Sequence, residues 1–400
     1  MSNPFRVVVV IGTRPEAVKL GRVLFHLLKQ HERTGDLDIT LVLTGQHSLA
    51  MVGPILDAAG VPIDSPGLKV ERVGRPELGE DIVQNLMRIG EGVARSRAIA
   101  KGAHVIVQGD TSTTYAAAIV ATLRGAFVHH VEAGLRSFAS TPFPEEQHRR
   151  SVDELAFYHY CTCVKSASNV ADTAAESRTS VQRHVAIVGQ TGFDMLDKRA
   201  IRIAAKRFPD EFTVQGEPAR VWKPGPVVIA MHRRDDRAHM VDRVATAAIA
   251  AMRAGHRVRI ILHPSTQGFR IPIALRIQAS EVGGEVEITD AIPVADFQRL
   301  IAAAPFVVTD SGGVHEEASY LGVPVIWVRE YSERHHLPGL RAFTLPEIEA
   351  AVTAPPVVKF EECFEDHVMS GPSAGEDIEV SELLVKRFYQ WITDPKPYHG

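Results

Sequence analysis

Three acidic residues in the stretch 104–149 have the types and spacing to carry out acid–base chemistry. Asp110 follows an apolar run that predicts a buried strand, Glu132 follows the next such run, and Glu145 opens a helix after two prolines. Parallel strands of a sheet end at one edge, where ligands bind, so these carboxylates could act as acid and base on a carbon or oxygen centre. Singly they could equally be helix caps or first-turn acids. Three in one segment favour a functional role.

The turn after the first predicted strand is a candidate phosphate site. Residues 5–11 form a β-branched run typical of a central parallel strand, and Gly12–Glu16 leads from it into a helix with a proline at its first position. The turn lacks the three-glycine dinucleotide fingerprint, which argues against a nicotinamide site. Arg14 and Lys19, near the helix N-terminus, would suit a phosphate; the alternative is ordinary surface charge.

A glycine turn in the second half of the chain is a candidate diphosphate site. Ser311, Gly312 and Gly313 follow the apolar run 306–309 and open a helix. The glycines let a ligand approach the backbone closely, and N–H groups at the helix start could bind a diphosphate. Glu317, one helical turn further on, could accept hydrogen bonds from ribose hydroxyls.

His232 follows another predicted strand, residues 227–230, and is itself followed by Arg233 and Arg234. A histidine at a strand end beside two arginines is interpreted as a catalytic or phosphate-binding residue. The alternative is a packed, hydrogen-bonded core histidine.

Strands and helices alternate along most of the chain, which predicts α/β domains built on parallel sheets. We place the domain boundary after the strand that ends at residue 188. The first domain then comprises residues 1–188 with a C-terminal helix, 380–398, and the second comprises residues 189–379. Residues 53–75 contain several prolines and predict a loop-rich connection, either a mobile flap or a wandering link.

Composition excludes several classes of protein. The chain has 400 residues, 45% of them hydrophobic and 23% charged, with a formal net charge of −4, so we expect two or three domains and no binding to nucleic acid or a membrane surface. Its apolar runs are too short to span a membrane, and no signal peptide is evident, which predicts a cytoplasmic protein. Cys161, Cys163 and Cys363 lack metal-ligand spacing; we expect no metal site, and the first two are predicted to be reduced core residues.

Eight motifs follow one another between about residues 7 and 340: IGTRPEAVKL, TGQH, QGDTSTTYAAA, HHVEAGLR, PFPEEQHR, MHRR, TDSGGVHEEASYLGVPVI and SER. In content and order they resemble the UDP-N-acetylglucosamine 2-epimerase family, and the combination of GTRPE, HVEAGLR, FPEE and DSGG is highly specific. The resemblance implies an α/β fold of two doubly wound, Rossmann-like domains that face each other across a cleft (GT-B type). It also implies that the C-terminal helix packs back on the first domain.

The resemblance further implies an isomerase that acts on a UDP-sugar and needs neither a metal nor a nicotinamide cofactor. UDP leaves the anomeric carbon of UDP-N-acetylglucosamine by anti-elimination as C2 loses its proton, which gives 2-acetamidoglucal. The non-hydrolysing branch adds UDP back with C2 inverted, which gives UDP-N-acetylmannosamine. The hydrolysing branch adds water and releases N-acetylmannosamine and UDP. A homodimer is also expected.

Matched position by position, the resemblance assigns roles to individual residues. The catalytic set is Asp110, Glu132, Glu145 and His232. The substrate-binding set is Arg14, Lys19, Gln46, His47, Arg136, Arg233, His263, Ser311, Gly312, Gly313, Glu317, Glu333 and Arg334. Which carboxylate is the acid and which the base stays open, and Arg136 is either structural or substrate-facing.

The chain also departs from the family pattern. His335-His336 replace a Pro-Glu pair, His263-Pro264-Ser265-Thr266 replaces His-x-Asn-Pro, and Gln190 replaces an asparagine. Met231 replaces a glycine, and Ser48-Leu49 follows TGQH where residues for an activating UDP-sugar are usual. The sequence therefore predicts the reaction type more firmly than the nucleotide sugar. The alternatives are a specialised homologue for another nucleotide sugar, a GT-B glycosyltransferase and a non-catalytic nucleotide-sugar sensor.

Overall fold

The computed structural model describes residues 3–74, 81–138, 143–176, 183–205, 224–231, 237–330, 334, 337–357 and 379–393. The chain forms two compact units. The first is Met1–Met195 with His367–Gly400, and the second is Leu196–Asp366. Among the described residues, none of the helices combines the length and the apolar character needed to traverse a bilayer.

The first unit is built on a parallel sheet whose seven described strands lie in the order β3-β2-β1-β4-β5-β6-β7. The strands are β1 (Phe5–Ile11), β2 (Leu37–Leu43), β3 (Leu68–Arg72), β4 (His104–Gln108), β5 (Phe127–Ala133), β6 (Tyr158–Cys161) and β7 (His184–Ile187). From β1, the chain adds β2 and β3 on one side of the sheet and then β4 to β7 on the other side. The direction in which strands are added therefore reverses between β1 and β4. That reversal is the topological switch point at which doubly wound sheets bind ligands.

Six helices are described in the part of the chain that runs between these strands. They are α1 (Arg14–Thr34), α2 (Leu49–Ala58), α3 (Ile82–Arg95), α4 (Ser112–Leu123), α5 (Glu145–Leu155) and α6 (Val164–Glu176). Val7 and Val9 of β1 pack with leucines of α1, whereas Val8 and Val10 pack with alanines of α4. Both faces of β1 are therefore buried, which explains its uninterrupted β-branched sequence.

The second unit repeats the same winding order, β10-β9-β8-β11-β12-β13. Its strands are β8 (Val227–Ala230), β9 (Val258–Leu262), β10 (Val286–Asp290), β11 (Val307–Thr309), β12 (Val325–Trp327) and β13 (Leu340–Arg341). Its described helices are α7 (Lys198–Ala205), α8 (Arg237–Arg253), α9 (Arg270–Gln278), α10 (Val294–Ala303), α11 (Gly312–Tyr320) and α12 (Leu345–Thr353). The predicted fold class, two doubly wound Rossmann-like domains, is confirmed.

The C-terminal helix α13 (Val380–Thr393) belongs to the first unit, as predicted, although the predicted residues 394–398 lie outside the described part of the chain. Its Phe388 and Trp391 are buried in the core that α1 and β1 share. Immediately before it, Glu379 accepts from the Arg22 guanidinium at 2.7 Å. An apolar face and an ion pair thus fix this helix to α1.

The prediction that residues 53–75 form a loop-rich connection is wrong. This stretch contains the end of α2, with Pro54 inside it, and the whole of β3. β3 borders the sheet beside β2 and is only partly buried, so it lacks the apolar run that reveals a central strand. Cys161 and Cys163 are buried, as predicted for core residues.

Candidate active site

Several predicted site residues of the first unit lie in or near the carboxyl ends of its strands. Asp110 follows β4, as predicted. Glu132 was predicted just beyond β5 but lies inside it, at a position where the pairing register with β6 shifts. Its backbone φ is 63°, in the left-handed region that residues other than glycine rarely adopt. The strand therefore continues past Glu132 by means of a local irregularity, which the apolar run in the sequence did not reveal.

Glu132 forms a buried ion pair with Lys19. Its Oε1 lies 2.5 Å from Lys19 Nζ, and the two side chains are 3% and 11% exposed. The side-chain amides of Gln108 and Gln190 also donate to this carboxylate. A carboxylate and an ammonium group are both costly to bury alone, so their pairing makes a charged centre tenable at this depth.

Asp110 is joined to α5 through Arg149. The Arg149 guanidinium donates to the Asp110 carboxylate and, at 2.5 Å, to Glu146. Arg149 and Glu146 are buried, whereas the Asp110 side chain is 29% exposed. Burial alone would raise the pKa of Glu146, but the Ser137 N–H and the Arg149 guanidinium lower it below its usual value. Asp110 is therefore a partly exposed carboxylate whose position is fixed by an ion pair with the buried Arg149.

His148 stabilises the turn after β4 that contains Asp110. Its Nδ1–H donates to the backbone carbonyl of Asp110 at 3.0 Å, and its ring stacks on Tyr115 of α4, with 4.7 Å between the centroids. Burial lowers the pKa of His148, which favours the neutral ring. Sequence reasoning included His148 in a family motif but assigned it no role.

Glu145 is the first residue of α5 and is partly exposed, whereas its neighbour Glu146 is buried. The predicted helix start is confirmed. The convergence of Glu145 with the other two carboxylates stays a prediction.

Glu16 is a buried residue that the sequence analysis did not single out. Its carboxylate accepts from the N–H groups of Gly12 and Thr13, both at 2.7 Å, and from the hydroxyls of Thr111 and Thr114. It thus ties the turn after β1 to the turn after β4. Burial raises the pKa of Glu16, and these donors oppose the rise. The sequence feature that could have identified Glu16 is its spacing from Thr13, because the two residues form a capping box at the start of α1.

Gln46 and His47 come from the turn after β2. Gln46 Oε1 accepts from Thr113 at 2.8 Å, and His47 Nδ1 accepts from the backbone N–H of Arg14 at 3.1 Å. Burial, followed by the charge of Arg14, lowers the pKa of His47. The Arg14 side chain is exposed. The turns after β1, β2 and β4 are therefore connected by hydrogen bonds.

Arg136, which follows β5, is buried. Its guanidinium donates to Asp153 at 2.6 Å and to Thr173 at 3.0 Å. Burial would raise the pKa of Asp153, but His130 and Arg136 hold it well below its usual value. Of the two roles left open for Arg136, this placement favours the structural one.

In the second unit, the glycine turn also lies at the switch point. Ser311 caps α11, since its hydroxyl accepts from Val314 N at 3.4 Å. Thr309 joins the two central strands: its hydroxyl donates to the carbonyl of Ala230 at 2.6 Å and accepts from Ser311 N at 3.0 Å. Gly312 and Gly313 form the first two residues of the helix, as predicted. This arrangement offers backbone N–H donors for an anion.

Other predicted binding residues of this unit are placed as follows. Glu317 is partly exposed on α11 and accepts from Gln298 of α10 at 3.4 Å. Arg334 pairs with the buried Glu316 at 2.5 Å. His263 is exposed and bonds to Ser265 at 2.8 Å. The remaining predicted positions lie outside the described residues: His232, Arg233 and Glu333.

Comparison with known proteins identifies the relatives of this chain. A sequence model of the family UDP-N-acetylglucosamine 2-epimerase matches residues 29–342. The chain is 27% identical over 330 residues to UDP-N-acetylglucosamine 2-epimerase of Salmonella borreze, covering 82% of each chain. It is 26% identical over 344 residues to the enzyme of that description from Bacillus subtilis, covering 85% of this chain and 82% of the relative.

Among solved structures, the fold resembles UDP-GlcNAc 2-epimerase from Neisseria meningitidis bound to UDP-GlcNAc. The TM-score is 0.68 at 21% sequence identity, and the match covers 96% of this chain and 99% of the other. At 21% sequence identity, this structural similarity is evidence for the fold of the chain alone.

Proposed function

Because the chain belongs to the UDP-N-acetylglucosamine 2-epimerase family, we propose that it converts UDP-N-acetylglucosamine into UDP-N-acetylmannosamine. The C2 proton and UDP leave by anti-elimination, 2-acetamidoglucal forms, and UDP adds back with C2 inverted. The observation that carries the proposal is the pairing of the strand-end carboxylates Glu132 and Asp110 with Lys19 and Arg149. Proton transfer at a weakly acidic carbon requires carboxylates held in position, and departure of a diphosphate requires positive charge nearby.

The proposed catalytic residues are Asp110, Glu132, Glu145 and His232. Asp110 is the more accessible of the two placed strand-end carboxylates, at 29% side-chain exposure against 3% for Glu132. A group that exchanges protons with a substrate must be reachable by it, so we assign proton transfer at the sugar to Asp110 rather than to Glu132. Glu132 and Lys19 then supply fixed charge.

In the second unit, we assign the diphosphate to the turn at Ser311, Gly312 and Gly313, and the ribose hydroxyls to Glu317. The N–H groups at the start of α11 point along the helix axis, where an anion is favoured by both hydrogen bonding and the helix dipole. We assign the further substrate contacts to Arg14, Gln46, His47, Arg233, His263, Glu333 and Arg334.

The proposal is tested by incubating the purified protein with UDP-N-acetylglucosamine in deuterated water and following the reaction by NMR. We expect deuterium at C2 together with UDP-N-acetylmannosamine. Deuterium with free N-acetylmannosamine and UDP would instead show the hydrolysing reaction. Absence of exchange at C2 would overturn the proposed substrate, and other nucleotide sugars would then be compared.

We further propose that the enzyme acts as a cytoplasmic homodimer. The expected particle mass is twice the 43.8 kDa of the chain, which light scattering of the purified protein would measure. A mass of one chain at micromolar concentration would contradict this expectation.

A further inference from the structure

Glu132 adopts a backbone conformation that needs an explanation. Its φ of 63° and the register shift between β5 and β6 occur at the same residue. Irregularities of this kind re-aim a side chain at some conformational cost, and they persist where the surroundings hold them in place. The contacts of the Glu132 side chain show what holds it in this conformation.

Two glutamines outside the predicted catalytic set surround this carboxylate. Gln190 Nε2 donates to Oε1, which also accepts from Lys19 at 2.5 Å, and Gln108 Nε2 donates to Oε2. Gln108 is 4% exposed and Gln190 is 3% exposed. Donors on both oxygens fix the orientation of the carboxylate plane as well as its position.

Gln190 is supplied by a segment remote in sequence from Glu132. It follows Gly189, whose φ is 88°, and precedes a 3-10 helix, Thr191–Met195, that packs against α1. Lys19 is part of α1, and its aliphatic carbons lie near Gly192. The same packing therefore sets the positions of both donors to Oε1.

We propose that Gln190, assisted by Gln108, is a positioning residue that holds Glu132 and Lys19 in their working orientation. The Gln190 side chain is long enough to bring its amide into contact with the Glu132 carboxylate. The consequence for catalysis rests on the proposed function, whereas the contact with Glu132 can be tested without it.

The catalytic consequence is tested with Gln190→Met, which keeps the length of the side chain and removes both amide donors. With UDP-N-acetylglucosamine, we expect kcat to fall about 10- to 100-fold, because a misoriented carboxylate weakens charge stabilisation in the transition state. We expect KM and the Kd for UDP to stay within about twofold, since these donors bind Glu132 of the first unit, whereas we assign UDP to the glycine turn. Gln190→Asn keeps an amide that is one methylene shorter, so its kcat should lie between those of Gln190→Met and the wild type.

A matched control is Gln30→Met. Gln30 is a buried glutamine on α1 whose Oε1 accepts from Arg33. It tests whether loss of any buried amide lowers kcat, and we expect no change. A wild-type kcat in Gln190→Met, or an equal loss in Gln30→Met, would overturn the proposal.

The contact itself is tested by thermal unfolding of Gln190→Met, Glu132→Gln and the double variant. Side chains that interact directly do not give additive effects, so we expect the Tm change of the double variant to differ from the sum of the single changes. Additive changes would overturn the positioning role. If the wild type failed to exchange the C2 hydrogen, the proposed function would fall, and this cycle would still decide the contact between Gln190 and Glu132.

Discussion

The two units share a winding order but differ in what they present at their switch points. The first unit presents ionisable side chains: Glu132 pairs with Lys19, Asp110 pairs with Arg149, and all of these except Asp110 are buried. In the second unit, the turn at Ser311–Gly313 presents mainly backbone N–H groups, capped by one hydroxyl. The same sheet topology thus supports two kinds of site.

This difference follows from how each site carries its charge. Paired side chains can bring carboxylates to a reacting carbon, but each ion pair must be completed inside the protein. Backbone donors at a helix start bind an anion without any buried counter-charge. We therefore attribute proton transfer to the first unit and UDP binding to the second.

The largest effect is expected for Asp110→Asn. Removal of the accessible carboxylate should lower kcat about 10²- to 10⁴-fold, the range for general acid–base catalysis. The Kd for UDP, measured by calorimetry, should change less than about twofold. Asp172→Asn, on the exposed surface of α6, serves as the control and should leave both quantities unchanged. Unchanged turnover in Asp110→Asn would contradict the assignment of proton transfer to the first unit.

Lys19→Met should destabilise the first unit strongly. It leaves Glu132 buried without its ammonium partner, which costs about 3–5 kcal/mol in the free energy of unfolding. The matched control on the same helix is Lys29→Met, because Lys29 and Glu32 form an exposed pair at 2.8 Å, worth less than about 1 kcal/mol. Urea unfolding measures both changes. Equal losses in the two variants would contradict a buried charged centre at Glu132.

Acid should destabilise the first unit through a buried chain of side chains. His104 Nδ1 lies 2.9 Å from His129 Nε2, and His129 Nδ1 lies 3.0 Å from the Tyr160 hydroxyl. Burial lowers the pKa of His104 from 6.5 to about 4 and that of His129 well below 6.5. The folded state therefore favours neutral rings, and stability present above pH 6.5 is lost as the pH falls towards 4.

For His104, this loss amounts to at most about 3 kcal/mol. Thermal unfolding between pH 7 and 4.5 should show the decline, and His104→Phe should reduce its slope. His263→Ala, at an exposed histidine of the second unit, should leave the slope unchanged. A His104→Phe slope equal to that of the wild type would exclude this source of acid sensitivity.

Gly313→Ala should have the smallest effect and one confined to binding. A Cβ there would meet the Ser311 hydroxyl only at 4.0 Å, so the free protein has room for it. The methyl group would nevertheless occupy space that a diphosphate needs to reach the backbone, and the Kd for UDP should rise about tenfold. Gly268→Ala, also in open space in this unit, should leave the Kd unchanged. If Gly313→Ala bound UDP normally, the diphosphate would have to bind elsewhere.

The central strands were predictable because their apolar runs record burial on both faces, as in β1 and β11. β3 and α2 were missed, since a partly exposed edge strand and a helix that contains proline carry weak sequence patterns. Asp110 was correctly placed at a strand end, because strand and turn residues adjoin it in sequence.

The partners of the site residues were harder to predict. Gln190 reaches Glu132 across 58 residues and Arg149 reaches Asp110 across 39, and hydrophobic periodicity contains no information about such pairs. The left-handed backbone of Glu132 was equally hidden, because no glycine or asparagine signals it. Sequence therefore indicated which residues could act, whereas their support emerged only from tertiary packing.

We propose that UDP leaves and returns while residues of the first unit transfer the C2 proton. The most direct test uses UDP-N-acetylglucosamine with ¹⁸O in the bridge between the sugar and the β-phosphate. Cleavage of the C1–O bond frees that oxygen to exchange with the non-bridging positions, so we predict that the label scrambles in the nucleotide sugar recovered from the wild type. Scrambling should be absent from Asp110→Asn. Epimerisation at C2 with the label still in the bridge would contradict elimination of UDP.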